Sequence, residues 1–210
     1  MTTRAAAIKS GYTTGARTLA SRSVLGLTRT RITPNALTAS GVTLCLAASV
    51  LVLFEARNHI LFYWLAAVVF VAGSLLDILD GALARAGGKT TPFGAYLDST
   101  TDRVSEGFML TALAFLLARD HHPVFVAVVM AAMAGSFLVS YTRAKAEALG
   151  LRGDVGIGSR AERVVVITGA LVLAPWGVLP WALVLLACTA WLTVVQRVLH
   201  VRKQLMEARS

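Results

Sequence analysis

An all-α integral membrane protein, with six transmembrane helices behind a cytoplasmic amphipathic helix, is the fold class this sequence predicts. Three observations carry it. Of the 210 residues 56% are hydrophobic and only 15% charged, and the mean hydropathy of +0.69 exceeds what a soluble domain of this size needs. Apolar segments recur at about residues 36–54, 60–84, 93–118, 123–146, 160–175 and 178–199, each near the ~20 residues that cross roughly 30 Å of hydrocarbon. An even number of spans puts both termini and the loops after spans two and four on one side. Eighteen of the twenty Lys and Arg residues fall on that side, against Arg57 and Arg119 on the other. This bias places the amino terminus in the cytoplasm of a multi-pass protein, read here as one of the cell (plasma) membrane.

Residues 1–33 form a juxtamembrane segment and 34–210 the membrane domain. The first 32 residues hold six basic and no acidic side chains, with Leu19, Ala20, Val24 and Leu27 at near-helical spacing. A surface-lying amphipathic helix is expected there, with a basic tail as the alternative. No short apolar core with a small-residue cleavage pattern follows, so a signal peptide is not expected.

Pro34, Pro92, Pro123, Pro175 and Pro180 all fall at segment edges, where a missing N–H costs little. Thr33-Pro34 and Thr91-Pro92 pair a capping hydroxyl with a first-turn proline and read as helix starts. The fifth segment, between Arg163 and Pro175, is short, and is expected to extend backwards through Gly158 and Ser159.

Four carboxylates interrupt this apolar chain. Asp77 and Asp80 are three residues apart, Asp98 and Asp102 four apart, so on helices each pair shares a face. Four carboxylates at membrane depth would repel one another and be costly to bury, unless they surround cations or line a wet cavity. Oxygen donors favour a hard divalent ion, Mg2+ or alternatively Mn2+. Other chemistries lack their residues. Cys45 and Cys188 have no ligand spacing and read as small core residues. His121-His122 reads as a turn, and no phosphate-binding loop or nucleophile-elbow motif occurs. The net charge of +9 follows membrane topology, and no nucleic-acid recognition motif accompanies it.

The run D-I-L-D-G-A-L-A-R, eight further residues, then G-A-Y-L-D-S-T-T-D resembles the signature of the CDP-alcohol phosphotransferases, D-x-x-D-G-x-x-A-R followed by G-x-x-x-D-x-x-x-D. Asp77, Asp80, Gly81, Ala84, Arg85, Gly94, Asp98 and Asp102 fill every fixed position. The resemblance spans nearly the whole chain and implies six membrane helices, an amino-terminal surface helix and a homodimer. It implies that Asp77, Asp80 and Asp98 hold two metal ions, while Asp102 touches the metal site and takes the proton of an acceptor hydroxyl. It further implies CDP-diacylglycerol as donor, with CMP leaving and the acyl chains in membrane lipid. Pro34-Asn35-Ala36-Leu37-Thr38 is similar to the family's P-N-x-x-T entry; the resemblance puts Asn35 and Thr38 near the nucleotide, together with Thr91 and Gly94.

The chemistry fits independently. Divalent cations neutralise a diphosphate and orient attacking and leaving oxygens. Small residues at Gly81 and Ala84 let a nucleotide approach the helix, although close helix packing explains the same pair. Arg85 offers a guanidinium to phosphate or base.

For the acceptor, Ser140-Tyr141-Thr142-Arg143-Ala144-Lys145, Arg160-Ala161-Glu162-Arg163 and Gln196-Arg197 gather cations where spans four, five and six meet the cytoplasm. This resembles the phosphatidylinositol phosphate synthase branch, which implies inositol phosphate as acceptor. Arg143, Arg163 and Arg197, with Ser140 and Arg160, are the expected phosphate contacts. Glu162 is expected to pair with a neighbouring arginine. Glycerol 3-phosphate is the alternative acceptor, and isoprenoid tails would suit an apolar groove as well as acyl ones. A divalent cation transporter is the alternative of a different class, but an ion pathway has no need of Gly81, Ala84 and Arg85 in fixed register.

Overall fold

A computed structural model describes residues 33–88 and 90–207; the expected amino-terminal amphipathic helix lies outside them. Six α-helices follow in order: α1 Pro34–Val52, α2 His59–Ala86, α3 Pro92–Arg119, α4 Pro123–Ala148, α5 Arg160–Leu173 and α6 Leu179–Glu207, with 3-10 turns at Glu55–Arg57 and Ala174–Trp176. No strand occurs among the described residues.

Each helix begins within two residues of its expected start, for the reasons legible in the sequence. Thr33 and Thr91 accept backbone N–H bonds from Ala36 at 3.3 Å and Gly94 at 3.0 Å, and Pro34, Pro92 and Pro123 each open a helix. α3 stops at Arg119, where His121 takes a left-handed φ of 58° and the His122 N–H reaches back to the Leu117 carbonyl at 2.8 Å. His121-His122 is thus a helix terminator. α4 ends the same way, with Gly150 at φ 72° and the Leu151 N–H on the Ala146 carbonyl at 2.9 Å.

Four helices, α1, α2, α4 and α6, are long and apolar enough to cross a membrane. α3 runs 28 residues, about 42 Å at 1.5 Å per residue, but its first half carries Asp98, Asp102 and Arg103, and Glu106 follows at its middle. α5 has 14 residues, fewer than the ~20 a perpendicular crossing takes. It does not extend backwards as expected. Ser159 is its N-cap, in a capping box with Glu162, whose Oε2 accepts the Ser159 N–H at 2.7 Å. Glu162 therefore caps this helix, where the sequence suggested an arginine partner.

The described residues divide into two compact units, one of Ala72–Asp102 with residues 33–43, the other of Leu44–Val71 with residues 103–207. The second holds the main apolar core, including Phe70, Met109, Leu113, Ile167, Leu171, Leu183 and Leu186. There α6 packs against α4 and α5. Gly135 admits the close approach, since a Cβ on it would lie 3.0 Å from that of Ala190. Outward positions remain apolar, with Val68, Val124 and Trp181 each about two-thirds exposed, as helices facing lipid require and soluble ones avoid. Helix hydroxyls of Ser49, Thr142 and Thr189 turn back on their own backbone, to Cys45, Leu138 and Leu185, at 2.8–2.9 Å, so these three need no partner from outside the helix. Within this unit Arg119, at the end of α3, donates to the buried Glu55 of the loop after α1. Gln204, near the end of α6, brackets Arg152 after α4 with two bonds of 2.8 and 3.0 Å. Each contact joins segments that an alternating helix order puts at one membrane face.

Candidate active site

The first unit holds the aspartates. α2 presents Asp77 and Asp80 one turn apart, both buried, and α3 presents Asp98 and Asp102, half-buried. Carboxylate oxygens of Asp77, Asp98 and Asp102 lie within 4.8 Å of one another. Three hard oxygen donors from two helices, converging at that spacing, fit a divalent cation of the Mg2+ or Mn2+ type. Asp80 stands outside this trio, and its Oδ2 accepts a hydrogen bond from the buried Thr38 hydroxyl of α1.

Gly41 makes room for that arrangement. A Cβ there would sit 2.9 Å from the Gly73 carbonyl oxygen and 3.4 Å from the Asp77 nitrogen, so α1 reaches α2 beside the turn that carries Asp77 only because residue 41 has no side chain. The sequence reading missed Gly41. Its signal was small residues on both helices, Ala39-Ser40-Gly41 and Gly73-Ser74, a pattern of close membrane-helix contact.

Beside the trio lies a cleft of about 380 Å³, within the ~300–1,000 Å³ range of small-ligand sites. Asn35, Thr38, Gly81, Ala84, Arg85, Thr91 and Gly94, all expected at the donor, line it together with Asp80 and Asp98. Thr33, Thr90 and Ala95 complete the lining; the first two flank expected contacts, and Ala95 continues the small face begun at Gly94. The starts of α1 and α3 both open here, and helix N-termini offer unpaired N–H groups to phosphate oxygens. Arg85 folds back over its own helix, its Nη1 3.3 Å from where a Gly81 Cβ would stand. Gly81 thus gives the guanidinium a place to lie.

The expected acceptor residues belong to the second unit and gather around the 149–159 loop. Arg163 is 4% exposed. Its Nε and Nη2 grip both Glu106 oxygens at 2.7 and 2.8 Å, and its Nη1 donates to the Gly158 carbonyl at 2.9 Å. Arg197 is 5% exposed and donates to the Val155 carbonyl at 2.8 Å and to that of Val139. Thr193 accepts the Gly158 N–H at 2.8 Å. Gly153 is buried, and a Cβ on it would stand 3.1 Å from the Arg143 Cα. Arg143 itself is exposed and paired with Glu147 at 2.8 Å. Ser140 and Arg160 are half-buried. Sequence reasoning missed Glu106 and Thr193. Glu106 continues the Asp98, Asp102 spacing by another four residues, which was visible, whereas its partner on α5 was not.

Residues 31–195 match the family model of the CDP-alcohol phosphatidyltransferases. The chain belongs to that family. Among its relatives, the archaetidylinositol phosphate synthase of Pyrococcus horikoshii is 37% identical over 177 residues, covering 83% of this chain and 86% of that protein. The phosphatidylinositol phosphate synthase of Mycolicibacterium smegmatis is 39% identical over 181 residues, covering 83% and 79%. Two crystal structures of the Mycobacterium tuberculosis phosphatidylinositol phosphate synthase share the fold. One, with CDP-DAG bound, superposes with a TM-score of 0.75 at 33% identity over 87% of this chain and 92% of that one. The other, in complex with manganese and citrate, gives 0.74 at 34% identity over 87% and 88%. This CDP-alcohol phosphatidyltransferase is accordingly a transferase, and its apolar helices make it a membrane protein.

Proposed function

We propose that this CDP-alcohol phosphatidyltransferase moves a phosphatidyl group from CDP-diacylglycerol to inositol phosphate, forming phosphatidylinositol phosphate and releasing CMP. The observation that carries the reading is the gathering of all seven expected donor contacts around one cleft, in a fold shared with a synthase solved with CDP-DAG.

In this reading Asp77, Asp80, Asp98 and Asp102 hold two divalent ions, Mg2+ or Mn2+. Such ions, when bound, neutralise the diphosphate and lower the pKa of a coordinated hydroxyl. Thr38 fixes the Asp80 rotamer, and the starts of α1 and α3, with Arg85, seat the nucleotide phosphates. Asp102 accepts the proton of the acceptor hydroxyl. That oxygen bonds to the lipid-side phosphorus, the phosphoanhydride bond breaks, and CMP departs with the electron pair.

Inositol phosphate is favoured because the relatives making archaetidyl and phosphatidyl lipids share it by name, and because the buried guanidiniums of Arg163 and Arg197 have one buried carboxylate, Glu106, paired with the first of them. An anionic acceptor would offset the surplus charge. Nε and one N–H of Nη1 of Arg197 are taken by carbonyls, leaving Nη2 and the second Nη1 N–H for a phosphate; Arg163 keeps one N–H on each Nη. Arg143, Arg160 and Ser140 complete the pocket. The whole enzyme is read as six spans over residues 34–210, with residues 1–33 and both termini cytoplasmic, as a homodimer in the plasma membrane.

The test is CMP release by purified protein with CDP-diacylglycerol and divalent metal, offered inositol phosphate, inositol or glycerol 3-phosphate separately. Release with inositol phosphate alone is expected; preference for glycerol 3-phosphate would reassign the acceptor.

A further inference from the structure

Glu106 has no place in the chemistry described so far, yet it is buried, 7% exposed. Its two oxygens take the Nε and Nη2 edge of Arg163 in a fork. That grip turns the third corner of the guanidinium, Nη1, onto the Gly158 carbonyl. Gly158 is in turn pinned by its N–H to Thr193 and has no room for a side chain, since a Cβ would meet the Thr193 hydroxyl at 2.8 Å. One carboxylate on α3 thus sets the angle of an α5 arginine and, through it, the end of the 149–159 loop.

Burying such a pair gains little stability, because desolvation cancels most of the attraction. A fixed guanidinium geometry is what it supplies, since the planar fork admits one orientation where a lysine would admit many. We propose that Glu106 is a positioning residue for acceptor binding, holding Arg163 and the Gly158 end of the loop in the arrangement that receives the acceptor phosphate. It touches no substrate. The inference rests on the acceptor reading given above.

Electrostatics and positioning predict opposite signs, which makes the idea testable. Glu106→Gln removes a negative charge beside an anion site, so a purely electrostatic role predicts tighter acceptor binding. Positioning predicts weaker binding, because a neutral amide offers only one acceptor oxygen and repels one of the two guanidinium edges with its NH2. The experiment measures acceptor and CDP-diacylglycerol KM, with kcat, for Glu106→Gln, Glu106→Asp, Arg163→Ala and the double variant Glu106→Gln with Arg163→Ala. Losing a charge-assisted fork should raise the inositol phosphate KM about tenfold in Glu106→Gln, with CDP-lipid KM within about twofold of wild type. Glu106→Asp keeps the charge but shortens the reach, and should fall between. In the Arg163→Ala background Glu106→Gln should add almost nothing, because no guanidinium is left to orient. An unchanged or lowered acceptor KM in Glu106→Gln and Glu106→Asp, while Arg163→Ala raises it, would overturn the positioning role and leave the acceptor site standing. An Arg163→Ala variant with unaltered acceptor KM would instead bring down the acceptor site, and the inference with it.

Discussion

Asp102 and Asp80 illustrate how neighbours divide labour among chemically identical side chains. Asp77, Asp98 and Asp102 converge within 4.8 Å, whereas Asp80 is held by the Thr38 hydroxyl. Asp102→Asn keeps the shape but removes the proposed proton acceptor. Turnover should fall at least about a hundredfold, the low end of general-base contributions, while CDP-lipid binding persists through the remaining ligands. Isothermal titration with a CDP-lipid beside a CMP-release assay checks both halves; near-normal turnover would remove Asp102 from the base role. Asp77→Ala should weaken metal and donor binding together, because in the proposed site the cations that Asp77 would help hold neutralise the diphosphate. Donor affinity in that variant should lose most of its dependence on added Mg2+. A donor affinity equal to wild type both with and without Mg2+ would show that the diphosphate is not bridged to Asp77.

The helices α1 and α2 meet where Gly41 faces Gly73 and Asp77, and two effects of opposite sign compete there. Gly41→Ala gains about 1 kcal/mol of intrinsic helix propensity. Yet the new methyl would lie 2.9 Å from a backbone carbonyl that no rotamer change can move, and overpacking costs about 1–3 kcal/mol. The clash should win, lowering Tm by a few degrees and weakening Mg2+ protection against heat; a Tm at or above wild type would show that the helices can part freely. Local signals made the element boundaries legible. Thr33-Pro34, Thr91-Pro92 and Pro123 announced three helix starts because capping depends on adjacent residues. Ser159-Arg160-Ala161-Glu162 carried its capping box as openly, but the expectation of a longer fifth span obscured it. The partners of Arg163 and Arg197 were not legible. They are a carboxylate 57 residues away and carbonyls 42 and 58 away, and only packing sets them. Gly41 and Gly73 were visible as small residues, but nothing in the sequence pairs them.

At the scale of the whole molecule, the chain is a membrane transferase in which four helices among the described residues satisfy the length and apolarity of a span. The proposed six-span topology also needs α3 to cross despite its charged first half, and α5 despite its 14 residues. Cysteines placed singly at Arg57 and Arg202 in a Cys45→Ser, Cys188→Ser background should label from opposite sides of intact cells. Labelling of both from outside would refute the odd number of spans, five, that the six-span topology puts between them. The central claim is sharper than topology, because it names the reaction. Its most direct measurement is CMP formed from CDP-diacylglycerol by the purified full chain with Mg2+, comparing inositol phosphate with inositol and glycerol 3-phosphate. The account predicts CMP and phosphatidylinositol phosphate in equal amounts with inositol phosphate, and at least about tenfold less with free inositol, which lacks the charge-assisted contacts. Equal rates with inositol and inositol phosphate, or no CMP with any acceptor in the presence of metal, would contradict it.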